Sequence, residues 1–293
     1  MAKDPPAPGP AAGPRGASPL AKASAPANAM PAPPAWWRTL RADPPVTLRL
    51  AIGGVAVALM AALWWFLTRG EEPIVSPVKL PSPGAVFTEF EFPDLTDSII
   101  DTLERVFLGV GLAALVGVSL GLLAGASRAA SAALAPLVIF LRSIPMGALL
   151  PLMLLMFHTG EKQQVMFLFF AIVPFVFSDT MKAVSLVPER YIETALTLGA
   201  SNRQILLKVL VPLSIPDIIT SLRFQVGLAL GYIMLAEDIG VEHGLGHLIS
   251  TSQRQGKNEN VYMLLFIIAG LAFGIDLLLR TLQRGAFAWR RDL

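Results

Sequence analysis

The chain has 293 residues, of which 54% are hydrophobic and 15% are charged, and its mean hydropathy is +0.61. A soluble domain of this size cannot bury so much apolar surface, so the composition predicts a polytopic membrane protein. The net charge of +2 is too small to indicate a nucleic-acid partner. The sequence contains no cysteine, which excludes disulfides, thiolate catalysis and thiolate metal sites.

The N-terminal segment 1–35 is mainly Pro, Ala, Gly and Ser and carries few aliphatic side chains, which predicts a disordered tail. It lacks the apolar core of a cleavable signal peptide, and a tail without a function of its own is the simplest interpretation. An interfacial anchor follows at Trp36, Trp37, Arg38 and Arg41. We therefore expect a tail and anchor over 1–47 and a membrane domain over 48–293.

Six apolar stretches are long enough to cross about 30 Å of hydrocarbon as helices. They cover 48–67, 103–123, 133–157, 165–184, 218–236 and 262–279. The third is interrupted at 141–145, where Pro145 frees a backbone carbonyl and Arg142 is costly unless it faces water, a partner or a ligand. The sequence therefore predicts an all-α fold with about six transmembrane helices.

Small residues recur at every fourth position of the second span, which lets another helix approach closely inside a bilayer. They are Gly109, Ala113, Gly117, Gly121 and Gly125. Gly227 and Gly231 form a second such step in the fifth span. Tight packing within the chain is the simpler interpretation, and a seam between two copies is the alternative.

The charges between the spans are asymmetric. One side collects Arg38, Arg41, Arg128, Lys182, Arg190, Arg203, Lys208 and the C-terminal arginines, whereas the other collects most of the carboxylates. Because basic residues stay in the cytoplasm, this pattern predicts that both termini and the segment 187–216 are cytoplasmic.

That segment is mostly polar and carries helix punctuation. Gly199 supplies the backbone freedom that ends a first short helix. Ser201 and Gln204 read as a capping box that starts a second helix, which Pro212 is expected to end. A helical corner of this kind, projecting from a membrane, is shaped to dock into a groove on a soluble partner.

The same segment resembles the EAA loop of permease subunits of bacterial binding-protein-dependent ABC importers. Glu193-Thr194-Ala195 is followed after three residues by Gly199 and after nine more by Val209-Leu210-Val211-Pro212. The family pattern is Glu-Ala-Ala, three residues, Gly, nine residues, then Ile-any-Leu-Pro. The departures conserve side-chain volume and are Thr194 for Ala, Val209 for Ile and Val211 for Leu.

Two further stretches are similar to the nitrate, sulfonate and taurine branch of this family. They are Leu80-Pro81-Ser82-Pro83 and the segment 236–246, with Ala236-Glu237 at its start and Gly244-Leu245-Gly246 at its end. The Arg-any-Ile-Pro stretch beginning at Arg142 is similar to one in related permeases. The resemblance implies the type I importer permease fold in a bacterial inner membrane. It also implies a small oxyanion as substrate, such as nitrate, a sulfonate or taurine, or bicarbonate.

The family resemblance further implies a homodimer, two ATPase subunits that hold ATP and Mg, and an extracytoplasmic substrate-binding protein. The chain has no phosphate-binding GxxxxGK[ST] motif, so we expect it to bind no ATP and to be no enzyme. The residues expected to couple to the ATPase are Arg190, Tyr191, Glu193, Thr194, Ala195, Gly199, Ala200 and Ser201.

Candidates for the translocation path are Arg142, Ser143, Pro145, Ser178 and Glu237. Arg142 either attracts an anionic substrate or pairs structurally with a carbonyl or carboxylate. Asp179 either lies at the interface close to Lys182 or lines the inner mouth of the path.

Other function classes find less support in the sequence. A metal site at Glu242, His243 and His247 is disfavoured because the glycines between the histidines spoil helical spacing. An ion-coupled secondary transporter needs carboxylates inside the membrane, whereas Asp179 and Asp276 fall near predicted helix ends. A non-transporting membrane scaffold has only the Pro-rich tail in its favour.

Overall fold

The structure is a computed structural model that describes residues 44–70, 73–92, 94–239 and 242–290. The predicted tail and the anchor at 36–41 lie outside these residues, as do Gly240, Val241 and the last three positions. All regular elements in the described part are helical. They are α1 (Val46–Thr68), α2 (Pro83–Thr88), α3 (Leu95–Gly125), α4 (Arg128–Arg142), α5 (Met146–Phe157), α6 (Glu161–Ser185), α7 (Glu189–Thr197), α8 (Asn202–Ile205), a π turn (Leu206–Leu210), α9 (Val211–Glu237), α10 (Leu245–Arg254) and α11 (Asn258–Ala286).

The chain divides into two compact units, Met1–Met60 and Ala61–Leu293. The described part of the first unit is the N-terminal portion of α1, whose apolar side chains are exposed, as Leu50, Val57 and Met60 illustrate. Exposed aliphatic side chains along a whole helix are typical of a segment in contact with lipid. The remaining elements form the second unit.

Five helices in the described residues are long and apolar enough to cross a membrane: α1, α3, α6, the continuous helix Asn202–Glu237 and α11. The pair α4 and α5 makes a sixth span if it is taken as one, with a bend of 89° between its halves. This agrees with the predicted number of spans. The bend falls at the predicted interruption, because Ser143 ends α4 and Pro145 caps α5.

The core of the second unit lies where α3, α6 and α9 meet. Val106, Phe167, Ile172 and Ile233 are fully buried there. Since their apolar area is removed from solvent on three helices at once, these side chains fix the positions of α3, α6 and α9 relative to one another.

The glycine ladder of α3 packs directly on α6. A Cβ atom built at Gly121 would lie 2.6 Å from Thr180 Cβ, and one at Gly109 would lie 2.6 Å from Leu168 Cβ. Gly117 and Gly125 meet α6 in the same way, with Cβ distances of 2.9 and 2.8 Å to side chains of that helix. A larger residue at these positions would therefore push the two helices apart.

The expectation of a second close-packing step on α9 is wrong within the single chain. Among the described residues, no atom lies within 4 Å of a Cβ built at Gly227 or Gly231. Arg223 Nη2 of α9 donates to Asp276 Oδ1 of α11 at 2.7 Å. Because these long polar side chains lie between the two helices, they keep the helix backbones apart. A groove of about 240 Å³ beside this pair includes Gly227 in its lining.

Candidate coupling hairpin and translocation path

The predicted hairpin begins with α7, which ends in a Schellman motif. The Gly199 N–H donates to Leu196 O and the Ala200 N–H donates to Ala195 O, both at 2.9 Å. Gly199 has φ +78°, a conformation in which an L-residue is strained. The Ala195-to-Gly199 spacing of the EAA-like pattern thus corresponds to one helix C-cap.

A capping box then starts α8, as the sequence predicts. The Ser201 N–H donates to Gln204 Oε1 at 2.8 Å, and the Gln204 N–H donates to Ser201 Oγ at 3.4 Å. Two of the N–H groups at the start of the helix are therefore satisfied by side chains. The corner between α7 and α8 is consequently sharp and well defined.

The prediction that Pro212 ends this second helix is wrong. The helix passes through the π turn Leu206–Leu210 into α9 and continues to Glu237. The Val211 N–H donates to Leu206 O, five residues back. Because a π turn is wider than an α turn, it leaves room for the proline ring, which would otherwise clash with the carbonyl four residues earlier.

One side of the hairpin is held on the bundle and the other is exposed. Ile192 packs on a small cluster of Val184, Ile205 and Leu210, which joins the hairpin to α6 and α9. The outer side presents apolar side chains to solvent: Tyr191 is 41% exposed, Leu196 53% and Leu198 82%. The same corner carries Glu193 and the Arg190 guanidinium, which lies 5.1 Å from the centre of the Tyr191 ring.

A polar cluster joins α4, α6 and α9 inside the spans. Arg142 Nη1 donates to Ser178 Oγ at 2.8 Å and lies 4.0 Å from Asp179 Oδ1. Asp179 Oδ2 accepts hydrogen bonds from Ser221 Oγ at 2.7 Å and from Gln225 Nε2 at 3.2 Å. The partners of Asp179 therefore lie on α4 and α9, and Lys182 is not among them.

The position of this cluster constrains what it can face. Asp179 precedes the hairpin end of α6 at Ser185 by six residues, or about 9 Å along the helix. The Arg142 side chain is 33% exposed and that of Asp179 is 27% exposed. Because charged groups at this depth are costly in lipid, their exposed sides must face a water-filled cavity or another protein chain.

Ser143 and Pro145 lie at the bend between α4 and α5 rather than in the polar cluster. Ser143 Oγ donates to Ile139 O at 2.8 Å, a carbonyl near the end of α4 that also accepts the Ser143 N–H at 3.1 Å. Pro145 caps α5 and has an extended backbone. These two residues therefore shape the bend that brings Arg142 to α6.

The prediction that Glu237 lines the path is wrong, because its side chain is fully buried in a network at the end of the bundle opposite the hairpin. Its carboxylate accepts hydrogen bonds from Thr102 Oγ1 at 2.8 Å, Arg105 Nη1 at 3.0 Å and the Gly246 N–H at 2.9 Å. Arg105 also donates to His243 O at 2.9 Å. A buried carboxylate with this many donors ties α3, α9 and α10 together.

The Gly-Leu-Gly stretch is required by the same network. A Cβ at Gly244, whose φ is +145°, would lie 2.6 Å from the Glu237 carboxylate carbon. A Cβ at Gly246 would lie 2.7 Å from Met234 O. Both glycines therefore let the backbone close over a buried charge.

Arg105 was missed by the sequence analysis, although an arginine inside a predicted span was a visible signal.

The two histidines near this network make different contacts. His247 Nε2 lies 3.3 Å from Thr251 Oγ1, whereas the backbone carbonyl of His243 is the acceptor for Arg105. Within the described residues, no group of three or more His, Asp or Glu side chains is arranged to hold a metal ion.

The second carboxylate of interest, Asp276, is paired with Arg223 of α9. Arg223 reaches Asp276 Oδ1 with Nε at 3.1 Å and Gln283 Oε1 with Nη1 at 2.9 Å. Gln283 Nε2 in turn donates to Pro216 O at 2.8 Å, the carbonyl of the second proline of α9. These side-chain hydrogen bonds connect α9 to α11.

Comparison with known proteins places this architecture in one family. Residues 117–287 match the model of the binding-protein-dependent transport system inner membrane component. The taurine transport system permease protein TauC of Escherichia coli is 31% identical over 253 residues, which cover 83% of this chain and 90% of that protein. The bicarbonate transport system permease protein CmpB of Synechococcus elongatus is 30% identical, with 80% of this chain and 91% of that protein covered.

A solved structure has the same fold. The MetNI methionine ABC transporter in an inward-facing conformation superimposes with a TM-score of 0.62 at 21% identity, covering 67% of this chain and 99% of the matched one. The predicted importer permease fold and family are thus confirmed. This family implies a multi-pass inner-membrane location and partners of two kinds, an ATPase and a substrate-binding protein. The chain belongs to the binding-protein-dependent transport system inner membrane components and is the permease subunit of an ABC importer.

Proposed function

We propose that two copies of this chain enclose the translocation path of the importer and that residues 187–216 of each copy dock on an ATPase subunit, which holds ATP and Mg. The hairpin carries this proposal, because its outer corner exposes Tyr191, Leu196 and Leu198 next to charged side chains. An exposed apolar patch with a polar rim is typical of a protein interface. The docking residues are Arg190, Tyr191, Glu193, Thr194, Ala195, Gly199, Ala200 and Ser201.

The link between hairpin and membrane supports a coupling role. The capping box of Ser201 starts a helix that runs without a break from Asn202 to Glu237, which is 36 residues or about 54 Å. A displacement of the hairpin by the ATPase therefore moves α9, which contributes Ser221 and Gln225 to the polar cluster. ATP binding would favour one arrangement of the spans and hydrolysis would release it.

The polar cluster supports the position of the path. Arg142 and Asp179 are assigned to its lining, and Glu237 is removed. Ser178 is only 4% exposed and holds Arg142 by accepting its hydrogen bond, while Ser143 and Pro145 shape the bend beside the cluster. Since the exposed sides of Arg142 and Asp179 cannot face lipid, we assign them to a water-filled cavity between two copies of the chain. Because each copy carries one hairpin, a homodimer offers one docking site to each of the two ATPase subunits.

The distribution of charge supports the orientation. Basic side chains gather at the hairpin end of the bundle, namely Arg128, Lys182, Arg190, Arg203 and Lys208. Carboxylates gather at the opposite end, namely Asp94, Asp97, Asp101 and Glu161. We assign the hairpin and both termini to the cytoplasm and the docking of the binding protein to the opposite face.

The relatives support a small polar substrate. Their names specify taurine and bicarbonate, both of which are small molecules that carry an oxyanion group. We assign to this chain a small oxyanion of this kind, nitrate, a sulfonate or taurine, or bicarbonate, delivered by the binding protein. Arg142 supplies the positive charge that such a group would meet.

Ion-coupled transport has less structural support. Asp179 is engaged by Ser221, Gln225 and Arg142, and Asp276 is engaged by Arg223. A coupling carboxylate has to bind and release an ion, which these contacts oppose.

The experiment that tests the proposal is the ATPase activity of the chain co-purified with its ATPase subunit in lipid, with and without candidate binding proteins loaded with ligand. We expect one liganded binding protein to stimulate hydrolysis and Gly199→Leu to abolish the stimulation. Gly70→Leu is the matched control, because Gly70 has φ +97° and, like Gly199, has no described atom within 4 Å of a built Cβ. Stimulation and uptake that survive Gly199→Leu would refute the coupling role, and failure to form any complex would favour a scaffold.

A further inference from the structure

A small cavity lies where the turn after α11, residues 287–290, meets the base of the hairpin. This C-terminal turn and the hairpin enclose about 180 Å³. The lining includes Leu186, Pro188, Tyr191, Asp217, Trp289 and Arg290. We propose that the cavity receives one apolar side chain of the ATPase subunit, so that the docking surface includes the C-terminal turn as well as the hairpin. The inference rests on the proposed function, since it adds a second contact to that docking surface.

The C-terminal turn is fixed at both ends by contacts within the chain. The Arg290 N–H donates to Phe287 O at 2.9 Å, which closes the turn. Arg290 Nη1 donates to Asp217 Oδ2 of α9, also at 2.9 Å. Trp289 lies between Phe287 and Arg290 in the sequence, so these contacts hold it in the wall of the cavity next to the hairpin.

The cavity is bordered by large apolar side chains that remain exposed. Leu186 is 74% exposed, Trp289 60% and Tyr191 41%. Because these three side chains share one small cavity, they form an apolar patch of the kind that marks a protein contact. Trp, Tyr and Arg are also the residue types that most often dominate the binding energy of protein interfaces, and this lining contains one of each.

The ATPase subunit is the partner that can reach this cavity. Tyr191 belongs both to the cavity lining and to the docking residues of the hairpin, so the two surfaces are continuous. Lipid is the alternative, since Trp and Arg are common at membrane interfaces. An interfacial anchor needs no concave site, whereas this cavity is built from α6, the hairpin, α9 and the C-terminal turn together.

The volume and the charges define what the cavity can hold. A protein cavity of about 150 Å³ accommodates benzene. One of 180 Å³ therefore accepts a side chain of the size of leucine, methionine or phenylalanine. Ala183 and Leu213 add apolar lining, while the charges of Asp217 and Arg290 are paired with each other. A charged side chain would lose hydration there without gaining a free counter-charge, which favours an apolar one.

Occupation of the cavity would connect the ATPase to two membrane helices. Asp217 lies near the start of α9, and Arg290 lies four residues after the end of α11 at Ala286. The two helices are also joined within the bundle by the pair of Arg223 and Asp276. A side chain seated between the hairpin and the C-terminal turn would therefore transmit a movement of the ATPase to α9 and α11 together.

The test is the affinity of the ATPase subunit for the full-length permease in lipid nanodiscs, measured by titration with the purified ATPase subunit. Trp289→Ala should weaken binding at least about tenfold, because it removes a large aromatic side chain from the docking surface. Trp289→Phe keeps an aromatic ring and should restore most of the affinity. Trp65→Ala is the matched control and should change nothing, since Trp65 is 55% exposed and its neighbour Trp64 stacks on Phe266 in the first half of α11.

Cross-linking gives a second result that leaves Trp289 in place. The chain has no cysteine, so Leu186→Cys carries the only thiol of the permease and can be labelled with a photoreactive benzophenone. We expect illumination of the assembled complex to cross-link this position to the ATPase subunit. Leu278→Cys is the control, because Leu278 is 58% exposed on a membrane-spanning part of α11, and it should give no such product.

Unchanged affinity in Trp289→Ala would overturn the inference and leave a lipid anchor as the role of this residue. If Trp289→Ala does not fold, absence of the cross-link from Leu186→Cys overturns it instead. In both cases the wild-type complex and the effect of Gly199→Leu remain intact. Failure of the proposed function has a different signature, namely that the wild-type chain binds no ATPase subunit or that Gly199→Leu retains stimulated hydrolysis.

Discussion

Glu237→Gln should destabilise the protein strongly although it preserves the shape of the side chain. Glu237 is fully buried and the Arg105 side chain is 5% exposed, so the substitution leaves a buried guanidinium without its nearest counter-charge. Removal of one partner of a buried ion pair costs about 3–5 kcal/mol. Arg105 keeps Asp101 at 3.6 Å and Glu161 at 3.7 Å, which places the expected loss at the lower end, about 3 kcal/mol.

The assay is unfolding of the purified chain by SDS titration in mixed micelles, followed by circular dichroism. The double variant Arg105→Met/Glu237→Gln should lose less stability than the two single losses added together, because it removes the unpaired charge as well. The exposed pair of Arg128 and Glu189 is the control, and Arg128→Gln should cause no measurable change since its side chain is 92% exposed. A loss in Glu237→Gln as small as that in Arg128→Gln would refute the interpretation of the network.

Three further substitutions test the packing and the hairpin. Gly121→Val should lower the free energy of unfolding by about 1–3 kcal/mol, because the larger side chain overpacks α3 on α6. Gly111→Val in the same helix is the control and should be tolerated, since no described atom lies within 4 Å of a Cβ built there. Equal unfolding midpoints for the two variants would contradict this interpretation. Gly246→Ala should also destabilise the chain in the same titration, because its Cβ would meet Met234 O at 2.7 Å. Ser201→Ala should destabilise the start of α8 by about 1 kcal/mol, because it removes the side-chain acceptor of the capping box. We expect faster amide hydrogen exchange that is limited to the hairpin. Unchanged exchange in the hairpin would argue against the capping box.

Much of the fold follows from local patterns that do not depend on distant contacts. Apolar stretches of sufficient length predict the spans, because in lipid every backbone group must be bonded within its own helix. The break at Pro145 and the C-cap at Gly199 are equally local, since each depends on the dihedral angles of one residue. The exception is Pro212, where a π turn let the helix continue and local rules alone gave the wrong boundary.

The site was only partly predictable, because a polar residue in a span can be satisfied in more than one way. Arg142 and Glu237 were both predicted to line the translocation path, yet one is partly exposed in a polar cluster and the other is fully buried. The difference depends on which helix lies opposite. Arg105 is 132 residues from Glu237 in the sequence and Gly246 is nine residues from it, and both meet Glu237 only after α3, α9 and α10 have packed.

By itself, the sequence determined the helical class, the number of spans and the form of the hairpin, because hydropathy, proline, glycine and capping residues act through the chain's own neighbours. The tertiary structure alone decided which glycines pack, since Gly121 faces α6 whereas Gly227 lies beside a groove. It also decided that Asp179 pairs with Arg142 and Glu237 with Arg105. Charges inside a membrane must find partners, and only the packing of the helices determines which partner each charge can reach.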